Sequence, residues 1–202
     1  MEAPHVRKKR IVVPKLLFIP IICVALVSHH WWREEGVVNL SFEVSALLLV
    51  AVGAIGRIWV SAFVAGRKNQ ELVVDGPYSV VRNPLYFFSL IGFIGAGLAF
   101  ETLTFALMFA GLFFATHLPA IFAEERFLKD KFGREFDAYL DSVPRLIPSS
   151  WRQTGPTELK INAPTYTRAV LDSSLIVTMF LVAHVIEWGH LHHILPVYFR
   201  LP

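Results

Sequence analysis

The chain has 202 residues, 54% apolar and 17% charged, with a formal net charge of +3 and a mean hydropathy of +0.52. A soluble domain averages about 45–50% apolar and about 25% charged; the excess here lies in long runs, which argues against an ordinary soluble globule and excludes a disordered chain, a collagen-like repeat and a nucleic-acid-binding coil. The single cysteine, Cys23, excludes an internal disulfide framework, and the positive charge reads as a bias among loops, with no nucleic-acid partner implied.

A helix needs roughly 20 mostly apolar residues to cross about 30 Å of hydrocarbon. Five segments are predicted to do so. The first covers 11–27, broken by Pro14, Lys15 and Pro20, and the second 42–65, containing Arg57. The third covers 85–100 after Pro84, the fourth 103–123, and the fifth 169–188, with Asp172 near its start. Only Glu101-Thr102 separates the third from the fourth, so these two form an antiparallel hairpin. Arg7 to Arg10 precede the first run as in a signal peptide. No small-residue cleavage site follows, and the run ends in an interfacial belt, His29, His30, Trp31 and Trp32, so it reads as a retained anchor.

With five spans and the N-terminus inside, the outer stretches hold only Arg33 and Arg200. The inner ones hold Arg7 to Arg10, Lys15, Arg67, Lys68, Arg82 and the cluster from Arg126 to Arg168. This places 66–84 and 124–168 together on the cytoplasmic face. The predicted fold is all-α, a polytopic membrane helical bundle of about five transmembrane helices plus a cytoplasmic amphipathic helix. It forms a single domain over 1–202, with 169–188 as an additional C-terminal span. The stretch 148–166 reads as a linker before the last span.

Three stretches carry candidate chemistry. In 75–86, DGPYSVVRNPLY, Gly76-Pro77 favours a turn and Pro84 suits the first turn of a helix. Arg82, flanked by Tyr78 and Tyr86, adds a cation where helix N–H groups already favour anions; it reads as an anion site or as an interfacial anchor. In the third span Ser89, Gly92, Ala96 and Ala99 share one face, widened by Gly95 and Gly97, a pattern of close helix packing or of a ligand lying on bare backbone. The run GFIGAG there is no dinucleotide fingerprint, lacking a strand–turn–helix context. From 123 to 140, Leu128, Phe132, Phe136 and Leu140 repeat every four residues, and the series extends back to Glu124 and His117, with Glu125 at its border. A carboxylate beside an apolar bundle is costly unless paired, so Glu124 reads as recognising a cation or hydroxyl groups, or as a partner for Arg82 or Arg145. Gly133 breaks this helix mildly and Val143-Pro144-Arg145 ends it. Arg57 reads as snorkelling to the interface. His184, Glu187, His190, His192 and His193, level with His29 and His30, lack metal-ligand spacing and read as interfacial, so no metal site is expected.

Taken together, GPYSVVRNPLY, the apolar hairpin and EERFLKDKFGREFDAYLDSVPRLIP resemble the isoprenylcysteine carboxyl methyltransferase family, its small prokaryotic members and the related phospholipid N-methyltransferases. The resemblance covers about 76–148, a family-like cofactor-binding core. It implies an integral membrane enzyme using S-adenosylmethionine at the cytoplasmic face. Carried over by position, it implies cofactor binding by Tyr78, Asn83, Pro84, Tyr86, Gly95, Gly97, His117, Glu124 and Glu125. Arg82 and Arg145 would hold carboxylates in catalysis. Asn83 stands where the eukaryotic enzymes have histidine, and Phe136 where tyrosine is usual.

A carboxylate acceptor needs no base at neutral pH, so alignment and exclusion of water suffice; a protonated amine would need one. The sequence therefore favours carboxyl O-methylation of an isoprenylcysteine-type lipid entering sideways from the bilayer. Phospholipid N-methylation, an NADPH-dependent reductase of the sterol-reductase type and a non-catalytic membrane protein remain open. Arg82, Arg145 and Arg152 are the basic residues a 2′-phosphate would require.

Overall fold

A computed structural model describes residues 18–32, 36–68, 70–151, 153–155 and 158–202. The basic cluster at 7–10, Pro14, Lys15, Arg33 and Arg152 lie outside those residues. Helix α1 covers residues 18–25 and leads into strand β1 (Ser28–His30). There follow α2 (Val37–Val64), a 3-10 turn (Gly76–Ser79), α3 (Pro84–Leu98), α4 (Leu103–Phe132), α5 (Arg134–Ser142), α6 (Ala163–Leu191) and strand β2 (Phe199–Leu201). The fold is all-α apart from one short parallel ladder that pairs Ser28 with Phe199, His29 with Arg200 and His30 with Leu201.

Among the described residues, α2, α4 and α6 are long and apolar enough to cross a membrane, at 28, 30 and 29 residues with hydropathies of 2.1, 1.8 and 2.0. α3 is apolar but has only 15 residues. Pro84 starts it, and a turn at 99–102, with Glu101 at φ 55, stops it. The five expected spans thus resolve into three long helices, one short apolar helix and a first segment described only from residue 18.

α4 extends the fourth expected span: the helix runs unbroken past 123 through Glu124 and Glu125 to Phe132. Thirty residues rise about 45 Å against a hydrocarbon core of about 30 Å, so one helix both spans and projects. The break at Gly133 is complete rather than mild. Its φ of 53 and ψ of −121 lie in a region that side chains strongly disfavour, and α5 begins at the next residue. The four-residue periodicity survives the break, with Phe136 and Tyr139 buried and Leu128, Phe132 and Leu140 half-buried.

The chain forms two compact units, and α2, α3, α4 and α6 divide their residues between them. The first comprises 1–50, 93–116 and 178–202. Its core holds Phe100, Phe105 and Phe109 against the small residues Ala25, Ala46, Ala96 and Ala183. Apolar burial contributes little to helix association in lipid, so close backbone approach carries it. The stripe on α3 supplies that approach: a Cβ on Gly95 would stand 2.8 Å from the Val50 nitrogen, and one on Gly97 2.6 Å from the Ala106 Cα. In the second unit, 51–92 and 117–177, Gly53 meets Gly92 across α2 and α3, where a Cβ on Gly53 would lie 2.6 Å from the Gly92 Cα.

Candidate active site

The second unit contains a cavity of about 300 Å³. Its walls come from α2 (Arg57, Lys68 just beyond it), the 3-10 turn (Tyr78), the start of α3 (Arg82 to Tyr86), α4 (His117, Glu124, Leu128) and α5 (Tyr139). Seven residues singled out in the sequence therefore converge on one space: Tyr78, Arg82, Asn83, Pro84, Tyr86, His117 and Glu124.

The backbone explains the convergence. The 3-10 turn is tied to the segment after α5: the Gly76 N–H donates to the Thr154 carbonyl at 2.6 Å, and the Thr154 N–H donates to Ser79 Oγ at 3.0 Å. The Arg82 N–H donates to the Pro144 carbonyl at 2.8 Å, and Asn83 Nδ2 to the Arg145 carbonyl at 3.1 Å. Tyr139 Oη donates to the Tyr78 carbonyl at 2.6 Å. Thus 66–84 and 124–168 do meet, laced mainly through main-chain acceptors.

The two glutamates have different surroundings. Glu124 faces the cavity, with Tyr86 Oη donating to it at 3.3 Å and Lys68 Nζ at 3.0 Å. Glu125 does not line the cavity. It accepts from Arg145 Nε at 3.1 Å and Asn83 Nδ2 at 3.3 Å, and Arg145 Nη2 lies 3.0 Å away. Arg145 also covers the Phe122 ring, 4.9 Å from its centroid. Glu125 and Arg145 thus clamp α4 to the segments around Asn83 and Pro144, and Arg145 stands beside the cavity, not in its wall.

Arg82 sits at the wall, 3.7 Å from Glu125 through its Nε, and that buried Nε has no hydrogen-bond acceptor. A buried guanidinium N–H without an acceptor is costly, and an anionic ligand group would relieve it. The Tyr86 and His117 rings meet edge to face at 5.8 Å. Burial raises the Tyr78 phenol above its ordinary value, with Glu124 adding to the shift. Burial also raises Tyr139, against an opposing pull from Arg82. Both therefore act as neutral hydroxyls, not bases.

Gly95 and Gly97 are not part of this wall; they belong to the first unit and serve close packing. Arg57, read in the sequence as snorkelling, instead lines the cavity and donates to Ser89 Oγ, whose hydroxyl in turn donates to the Leu85 carbonyl at 2.7 Å. Lys68 is a further wall residue that no motif marked, and Tyr139, within the EERFLKDKFGREFDAYLDSVPRLIP stretch, is another for which no role was assigned. Only the inward face of α2, set by Gly53 and Gly56, could have pointed to Arg57.

The pattern of the phospholipid methyltransferase family matches residues 37–135. The chain is 28% identical over 184 residues to the nickel-cobalt-cadmium resistance protein NccN of Alcaligenes xylosoxydans xylosoxydans, covering 91% of this chain and 86% of the relative. It is 30% identical over 184 residues to the cobalt-zinc-cadmium resistance protein CzcN of Cupriavidus metallidurans, covering 91% and 84%. It is 27% identical over 140 residues to protein-S-isoprenylcysteine O-methyltransferase B of Arabidopsis thaliana, covering 67% of each. No solved structure matches.

Proposed function

Because the chain belongs to the phospholipid methyltransferase family, which the isoprenylcysteine methyltransferases share, we propose that it is an integral membrane methyltransferase. Its methyl donor is S-adenosylmethionine, and its acceptor is the carboxylate of an isoprenylcysteine-type lipid. The observation that carries this reading is the convergence of Tyr78, Arg82, Asn83, Tyr86, His117 and Glu124 on one cavity.

The residues suit such a cofactor. Arg82, with its unaccepted buried Nε, would take a carboxylate, and Glu124 would take an ammonium or ribose hydroxyls. Tyr78 and Tyr86 offer aromatic surface. The volume lies at the lower end of the range for ligand sites, about 300–1,000 Å³, so the acceptor's hydrocarbon would remain in the bilayer. When bound, the cofactor supplies an already activated methyl group. The protein's part is to hold the acceptor oxygen in line and to strip water from it. No proton need move when the acceptor is a carboxylate, whereas a protonated amine would need a base, for which the wall offers His117 and Glu124. We place this cavity at the cytoplasmic face from the distribution of lysine and arginine.

The test is methyl transfer from labelled S-adenosylmethionine to a panel of prenylcysteines, phosphatidylethanolamine and free fatty acids, using the full chain in lipid nanodiscs. Prenylcysteine esterification is expected; labelling of phosphatidylethanolamine alone would replace this acceptor with an amine. The relatives named for resistance to nickel, cobalt, zinc and cadmium favour a second reading, in which the methylation serves tolerance of divalent metals. Growth of a deletion strain in those metals, with and without the Arg82→Lys variant, tests it.

A further inference from the structure

The first unit holds a cluster of ionisable side chains that methyl transfer leaves unused. His29 Nε2 stands 2.7 Å from Glu187 Oε1. His30 Nε2 stands 3.3 Å from the same oxygen and 3.1 Å from Glu101 Oε2. Sequence spacing pointed away from a metal site because His192 and His193 cannot converge. The β1–β2 ladder and α6 bring different residues together, with one donor atom each from His29, His30 and Glu187 all within 4.8 Å of one another.

We propose that His29, His30 and Glu187 bind one divalent transition-metal ion, with Glu101 beside the site, 3.1 Å from His30 Nε2. The reasoning is independent of the methyl-transfer reading. A tetrahedral ion with bonds of about 2.0–2.1 Å sets its ligand atoms about 3.3 Å apart; Glu187 Oε1 stands 2.7 and 3.3 Å from the two imidazole nitrogens, and all three donor atoms lie within 4.8 Å of one another. The orientation of the His29 ring is fixed as well. His29 Nδ1 lies 3.1 Å from the His30 carbonyl, and donating its hydrogen there leaves Nε2 with the lone pair a metal requires.

Ion pairing alone explains the cluster poorly. His30 is 1% exposed, and while its Nε2 lies against both carboxylates, its buried Nδ1 has no hydrogen-bond partner among the described residues. Buried polar atoms in that condition are costly and call for an unseen partner. Two imidazoles with carboxylates suit zinc, cobalt or nickel, whereas calcium and magnesium prefer oxygen ligands alone. Glu187 also lines a neighbouring cavity of about 590 Å³, with Asn39, Glu43, Glu101 and His184.

The experiment titrates chelator-treated, untagged full-length protein in detergent with Co2+, reading visible d–d absorption and bound metal per chain, and then displaces Co2+ with Zn2+. One ion per chain is expected, together with a rise in thermal midpoint on adding Zn2+. His30→Gln and Glu187→Gln should each weaken binding by about 100-fold or more, since loss of an outer-shell partner alone costs about 10–100-fold. The exposed pair His192 and His193 serves as a control, and the double change to Gln should leave binding unchanged. A wild-type protein that binds no Co2+ and gains no stability from Zn2+ overturns the proposal, whatever the variants do. Binding that survives in Glu187→Gln with His30→Gln, or that disappears with His192 and His193, overturns it equally.

Discussion

Adjacent glutamates on one helix allow a sharp separation of roles. Glu124 faces the cavity, and its charged partner Lys68 is 55% exposed, so their ion pair contributes about 0–1 kcal/mol. Glu124→Gln should therefore cost less than about 1 kcal/mol of stability. In the proposed function its carboxylate would hold the cofactor, however, and a hydrogen bond to a charged group contributes about 1.5–3 kcal/mol. S-adenosylhomocysteine affinity should fall by about 10- to 150-fold, at about 1.4 kcal/mol per tenfold. Glu125 is the converse. Its side chain is 12% exposed and grips an Arg145 that is 45% exposed, so the partly screened clamp, with the Asn83 amide, contributes about 1–2 kcal/mol. Glu125→Gln should lower the thermal midpoint yet change cofactor affinity less than about threefold. Isothermal titration of S-adenosylhomocysteine, beside denaturation of the same preparations, separates the two. Equal losses of affinity in both variants, or a larger loss in Glu125→Gln, would refute the division.

Arg82→Lys keeps the charge but not the planar fork; it should fold and insert, and initial-rate assays should find most turnover lost. Gly97→Ala should cost about 1–3 kcal/mol through overpacking against the Ala106 backbone, with cofactor affinity of the folded fraction unchanged by titration; a selective affinity loss would restore the ligand role the resemblance implied. In a Cys23→Ser background, single cysteines replacing the exposed Glu71 or Ser149 should resist an impermeant maleimide in intact cells, and labelling of either would place the cavity on the other side of the membrane.

The wall of the site was legible where spacing carries geometry. The four-residue series from Leu128 to Leu140 runs back to Glu124 and His117, and both line the cavity. The turn before Pro84 likewise placed Tyr78, Arg82 and Tyr86. What escaped depends on choices that spacing cannot make. A helix pattern does not say whether Gly133 bends a helix or ends it. Small residues on one face fit a ligand as well as a neighbouring helix, and only the approach of the Val50 and Ala106 backbones decides for Gly95 and Gly97. An arginine within a span reads as snorkelling until Ser89 is seen opposite it. The histidines at 29 and 30 reach Glu187 through a pairing no local pattern announces.

That pairing also orders events in time. Ser28 leaves the ribosome long before Phe199, its partner in the ladder, and parallel pairing between such distant segments closes slowly. During translation the β1 backbone must be served by water or by the insertion machinery, because its acceptor and donor groups have no mate yet. The helix bearing Glu187 also emerges late. The first unit therefore seals as one of the last acts of biogenesis. A ribosome stalled before β2 would leave a nascent chain whose cavity-forming segments, all N-terminal to residue 140, have been synthesised while its histidine pocket is still open.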